Sequence, residues 1–187
     1  MVVNDKAMVR EMKEAYKGWG YTVMRTKDDQ WVIGSKNAWT VAIDGQINVP
    51  NEVMALIVLH MGKLPEPEQC WRIYKEEKST CIQKEVYKVA LDDFARLEDD
   101  WAGEKEEVRR TALIYGRCRV WQRMGDKGIA LIDPKFEGLM DIGGDSVVYS
   151  TEEHIYLGGE ISRVYISRIR GGDRKQLLEH LAKVDWT

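Results

Sequence analysis

No part of the 187-residue chain approaches the ~18 to 20 consecutive apolar residues that a membrane-spanning helix requires, and its longest apolar run, 53–61, already contains His60. The first 17 residues alternate charged and apolar side chains, without the apolar segment and small-residue cleavage site of a secretory leader, so a cytoplasmic protein is expected. Cysteine is scarce. Cys70, Cys81 and Cys118 are odd in number and far apart, which excludes a dense disulfide scaffold and the paired spacing of a zinc site. They are read as reduced thiols. Histidine is equally sparse, and His60, His154 and His180 fall in different segments, so neither a metal nor a cofactor is expected. There is no Gly-x-Ser-x-Gly elbow. The glycine pairs lie between β runs and so do not form a phosphate loop, while Gly171-Gly172 precedes a helix whose own Asp173 fills the anion-accepting place.

What is present belongs to an ordinary folded protein. Apolar residues and mixed charges are balanced as in globular chains, and the formal net charge of −3 gives no general attraction to nucleic acid. In 4–17, Ala7, Met8, Met12, Ala15 and Tyr16 recur at helical spacing, with Asn4 as cap and Gly18 as stop. Short β runs follow at 21–26, 31–35 and 39–43, and Asp44-Gly45 predicts a hairpin into 47–49. Alternation places Tyr21, Val23, Trp31, Ile33, Trp39, Val41 and Ile43 on one sheet face, suited to cover the first helix. A second helix is expected over 51–61, ended by Gly62.

Beyond the Pro65-Glu66-Pro67 segment, the best boundary in the chain, a strand is expected at 70–75 and a helix over 83–102 carrying Val86, Ala90, Phe94, Leu97 and Trp101. The stretch 104–115 fits either a helix or a strand. From Arg117 the apolar period becomes two, predicting strands at 117–124, 129–132, 139–142, 146–150, 154–157 and 161–169. Asp173, Gln176, Leu177, Leu178, Leu181 and Val184 then spell a capped closing helix. The fold class is α+β: an amino-terminal helix with a small antiparallel sheet, a central acidic helix, and a carboxy-terminal antiparallel meander closed by a helix. The parts divide as 1–64 and 65–187, or pack as one domain.

Two adjacent charge blocks stand out. Asp92, Asp93, Glu98, Asp99, Asp100, Glu104, Glu106 and Glu107 are diluted only by Arg96 and Lys105. A surface with that density of carboxylates imitates a phosphate backbone and suits a basic groove; its plainer meaning is a solvated helix face. The second block is basic, and in a strand Arg117, Arg119, Trp121 and Arg123 share one face, to which Arg163, Tyr165, Arg168 and Arg170 add a similar pattern. Arginines around an aromatic ring hold phosphates and stack on bases, or pack as a solvated face. With no catalytic signature, the first expectation is a non-enzymatic interaction protein. It would inhibit or regulate a nucleic-acid-processing partner through the acidic surface, as a mobile-element inhibitor of a restriction or CRISPR nuclease does. The alternatives are a nucleic-acid-binding module built on the arginines and an enzyme of unfamiliar type.

Overall fold

The computed structural model describes residues 2–169 except 37, 47, 48, 127, 144, 145 and 160, together with 179 and 183. Asn4 opens helix α1 (Asp5–Lys17), its side chain accepting from the Ala7 N–H at 3.1 Å, and the apolar residues Ala7, Met8 and Met12 face inward. Strands β1 (Tyr21–Arg25), β2 (Gln30–Ser35) and β3 (Trp39–Asp44) come next, then α2 (Asn51–Met61), stopped by Gly62 in the left-handed conformation at φ 81°. After them lie β4 (Gln69–Glu76), β5 (Ser79–Lys84), α3 (Tyr87–Ala102), β6 (Glu106–Tyr115), β7 (Cys118–Arg123) and β8 (Ile129–Ile132). A 3₁₀ helix, Pro134–Leu139, leads to β9 (Val148–Ser150), β10 (His154–Gly158) and β11 (Ser162–Ser167). Among the described residues no helix is long and apolar enough to cross a membrane.

The mixed α and β class holds, but the sheet is one large sheet and not a small one beside a separate meander. Among the described residues eleven strands, every pairing antiparallel, run in the order β5-β4-β1-β2-β3-β11-β10-β9-β6-β7-β8. The expected small sheet is continued by β3 pairing with β11, Trp39 opposite Ile166 and Ile43 opposite Ser162. The sheet also passes the position between 64 and 65, because β4 pairs with β1. At the far side β8 is met by the chain that has just left β11: the Ile169 N–H donates to the Leu131 carbonyl at 2.7 Å. Five strand spacings of ~4.8 Å separate β11 from β8 in a flat sheet, far more than two residues span. This half therefore curls back on itself.

Several local expectations are corrected. Of residues 104–115, for which helix and strand were both open, 106–115 form a strand. The helix expected from Gln83 starts at Tyr87, because 83 and 84 belong to β5. The strand expected at 139–142 is replaced by the end of the 3₁₀ helix and a single bridge from Met140 to Val3. Asp133 caps that helix by accepting from the Lys135 N–H, with Pro134 at its first position. In the expected 47–49 strand, only Val49 is described and it lies in no strand; of the closing helix expected from Asp173, only Glu179, which is helical, and Lys183, which is in a turn, are described, and His180 is not among the described residues.

Strand alternation gives the sheet two unequal faces. On one, Tyr21, Val23, Trp31, Ile33, Trp39, Val41 and Ile43 join α1, α2 and Leu139 in the main core. The other face carries a smaller cluster of Met24, Val32, Ala42, Cys70, Tyr156 and Tyr165 beneath α3, whose Phe94 is its buried contribution. Trp101 fixes the carboxy-terminal end of this helix. Its ring sits edge-on to Tyr149 and Tyr156, at centroid distances of 6.0 and 5.8 Å, and lies over Gly158. A Cβ at Gly158 would lie 2.5 Å from the indole, so Gly158→Ala is expected to destabilise the fold by about 1 to 3 kcal/mol through overpacking. Chemical denaturation followed by far-UV circular dichroism measures it, and an unchanged midpoint would contradict the docking of Trp101.

Candidate functional site

The acidic block is split by the fold. Helix α3 lies on the thinly covered face of the sheet, and its helical period turns some acids inward while leaving others in water. Asp92, Asp93, Asp99 and Glu104 are exposed. Asp93 pairs with Arg96 one turn along, whereas Asp92 and Asp99 make no ion pair with any described residue. Glu107 is exposed beside Arg109 at 3.5 Å, and Glu106 turns to the opposite face of the sheet, 3.6 Å from Arg123.

Glu98 and Asp100 point at the sheet. The Glu98 carboxylate accepts from the Arg163 guanidinium and from the Tyr165 hydroxyl, both on β11. Burial first, then the hydrogen bond and negative charge of Glu98, push the Tyr165 phenol upward. Asp100 accepts from the Thr151 hydroxyl at 2.9 Å and lies 3.1 Å from His154 Nδ1 on β10. Thr151 Oγ1 is also 3.2 Å from the Tyr156 hydroxyl. These two carboxylates act as fasteners between α3 and β10–β11, and a partner cannot use them without undoing that attachment.

The basic block is likewise drawn into the protein. Arg119, Trp121 and Arg123 do share a face of β7, as alternation predicts, but that face is turned toward the 3₁₀ helix. Trp121 is 1% exposed and belongs to the main core. Its indole N–H donates to Glu137 Oε1 at 3.1 Å, while Arg119 lies 3.3 Å from the same oxygen and Arg110 donates to Oε2 at 3.0 Å. The ring therefore offers no open face for base stacking, which corrects the expectation built on it. Arg163 and Tyr165 are engaged by Glu98, Tyr165 being 1% exposed. Arg168 donates to the Thr151 and Ile129 carbonyls. Arg117 is exposed in the β6–β7 turn, and Arg170 lies outside the described residues.

Between the amino-terminal half of α3 and the sheet is a cleft of about 690 Å³. Trp19, Val86 and Val89, which are 84%, 66% and 57% exposed, line it together with the exposed charges of Lys36, Asp93 and Arg96. Thr22, Thr40 and Ser167 are on its floor, and His154 is at one end. The sequence pattern held no sign of this cleft, since it depends on α3 crossing strands from both ends of the chain. Glu137 was missed for a different reason. Asp133-Pro134 marks a helix start as well as a turn, and only the helix reading places Glu137 over Trp121. Among the described residues no group of three or more His, Cys, Asp or Glu side chains is placed to hold a metal ion.

No family model matches the chain, and no curated protein matches it in sequence. Among solved structures it is similar to the beta subunit of DNA polymerase from Streptococcus pyogenes, with 11% identity over 94% of this chain and 66% of that one, at a TM-score of 0.37. A DNA polymerase III beta chain from Streptococcus pneumoniae TIGR4 gives 11% identity over 95% and 68%, also at 0.37. The chain thus spans about two thirds of these proteins, and at that TM-score the likeness carries no argument about function.

Inward and outward acids are separable by experiment. Glu98→Ala strips the charged partner from Arg163 and Tyr165 and is expected to cost about 1 to 3 kcal/mol, whereas Asp92→Ala should change stability by no more than about 0.5 kcal/mol. Urea denaturation of both variants tests this, and equal small effects would refute the fastening role. A second expectation concerns Cys70, whose thiol burial pushes up to about 12 with help from Glu85. At pH 8 its thiolate fraction is then about 10⁻⁴. Iodoacetamide should leave Cys70 unmodified in the native protein and alkylate it after unfolding, as read by peptide mass spectrometry.

Proposed function

We propose that the protein is an interaction module that inhibits or regulates a nucleic-acid-processing partner by offering the outward acids of α3 to a basic groove. The observation that carries this reading is the division of the acidic block. Asp92 and Asp99 stand in solvent, on the side of α3 away from the sheet, with no described cation beside them. They are seven residues apart, ~10.5 Å along the helix axis, so they fall on one side of the helix. Glu104 adds a further exposed carboxylate just beyond the carboxy-terminal end of the helix. Carboxylates held at fixed spacing on a helix lose little conformational freedom on meeting a row of lysines and arginines, and counterions released from that groove favour the complex.

The plain arginine-and-aromatic alternative is weakened by the burial of Trp121 and Tyr165. An inhibitor built on exposed acids needs neither side chain.

The test is charge reversal restricted to acids that the fold does not use. Asp92→Lys with Asp99→Lys should abolish capture of a nucleic-acid-processing protein from the native extract, while the melting temperature stays within a few degrees of the parent. The parent complex should weaken steeply between low and moderate salt, and added duplex DNA should compete for the same groove. A folded double variant that still captures the same partner at the same salt would overturn the acidic-surface reading.

A further inference from the structure

We propose that the cleft under α3 holds an acyl-transfer site in which Ser167 is the nucleophile, His154 its general base, and Asp100 the residue that positions His154. The site does not use Asp92 or Asp99, which lie outside the cleft. His154 on β10 and Ser167 on β11 are direct cross-strand partners, so both side chains project from the same sheet face. The Ser167 N–H is spent on the Ala38 carbonyl of the other neighbouring segment, at 3.0 Å. Facing β10, Ser167 is therefore in a non-hydrogen-bonded pair, the kind in which side chains approach more closely. Cβ atoms in such pairs are ~4.5 to 5.5 Å apart, so side-chain rotation would bring His154 Nε2 onto the hydroxyl, a hydrogen bond that is not made among the described residues as they stand. Both residues line the cleft, and the Ser167 hydroxyl makes no hydrogen bond among the described residues.

Asp100 determines which nitrogen is free. Its carboxylate, held by the Thr151 hydroxyl at 2.9 Å, lies 3.1 Å from His154 Nδ1. An acceptor there places the imidazole proton on Nδ1 and leaves the Nε2 lone pair for a substrate-side proton. The His154–Asp100 link is formed, and with Ser167 Oγ brought onto Nε2 the three would be the nucleophile, base and orienting group that serine chemistry needs. It was invisible as a motif because its three members come from α3, β10 and β11. The cleft volume of about 690 Å³ suits a small molecule. Trp19, Val86 and Val89 give the apolar arm of a carboxylic ester a surface to lie on, beside the charged Lys36, Arg72, Asp93 and Arg96 that line the same cleft.

Ser167 Oγ attacks the ester carbonyl carbon and its proton passes to His154 Nε2; the C–O bond to the alcohol breaks, and the imidazolium returns that proton to the departing oxygen. Water then adds to the acyl-serine. Its proton goes to Nε2 and on to Ser167 Oγ as the acid leaves.

An alkyl fluorophosphonate probes the site directly, since Ser167 Oγ would form a P–O bond as the P–F bond breaks and fluoride departs. Incubation with the full-length protein, followed by peptide mapping, is expected to place the phosphonyl mass on Ser167. His154→Gln should slow labelling about 100-fold or more. Asp100→Asn should lower kcat for p-nitrophenyl butyrate with little change in KM, and Asp100→Glu should restore part of it, a split that a merely structural loss would not give. Circular dichroism records the fold of each variant, and the mapping of the unmodified protein decides the matter even if a variant unfolds. Absence of the phosphonyl mass from Ser167, or labelling at an unchanged rate in folded His154→Gln, would overturn the proposal.

Discussion

The pairing of β3 with β11 is the constraint on which the rest of the molecule depends. Trp39 faces Ile166 across 127 positions of sequence, and that contact joins strands from the two ends of the chain into one sheet. The hydrogen bonds of β11 are divided between β3 and β10, so without β11 the β4–β1–β2–β3 half and the β10–β9–β6 half would each expose an apolar edge. Closing so long a loop costs entropy before any contact repays it. Val41, Ile43, Val164 and Ile166, all buried where the two halves meet, supply the burial that offsets this cost.

Helix α3 is placed by the same strand. Arg163, Tyr165 and Ser167 are successive residues on one face of β11, and the first two receive Glu98. The next strand supplies His154 for Asp100 and Tyr156 for the edge of Trp101. The helix is thus fastened at its carboxy-terminal half by two charged contacts and an aromatic one. Its amino-terminal half carries a single buried side chain, Phe94, and leaves the cleft open beneath it. A helix pinned at one end over a partly filled floor is an arrangement that can admit a ligand without disturbing the main core, because α1 and α2 lie on the other side of the sheet.

Much of the architecture was legible in the sequence where hydrophobic periodicity was strong. Helices α1 and α2, the strands from Tyr21 to Asp44, and their shared buried face all follow from apolar spacing and from Asn4 and Gly62 as punctuation. Strand β5 was not legible. It is an edge strand whose residues are mostly exposed, so its apolar alternation is weak, and its hairpin uses Glu77-Lys78, with Glu77 at φ 51°, where Asn-Gly would be the recognisable signal. The connection of the two sheet halves was equally hidden, because alternation says which face a side chain takes and nothing about which strand lies alongside. Charge was the least legible property. The arginine and tryptophan alternation in β7 is real, yet Glu137, contributed by a 3₁₀ helix, turns that face into core.

That last point governs how the acids of α3 divide their work. A carboxylate at the protein–water boundary is stable either in water or beside donors that replace its hydration. Glu98 and Asp100 take the second course, each with two side-chain contacts on the sheet or its turn. Asp92 and Asp99 take the first. A surface acid can exchange water for a partner's cation at small cost, since its side chain supports nothing else. An inward acid cannot, because leaving Arg163 or His154 would strand a polar group on a mostly apolar face. Counting the block by sequence therefore overstates the charge available for binding. The surplus carboxylates are the ones that hold the helix on the sheet, and one of them, Asp100, does so through Nδ1 of the histidine that lines the cleft.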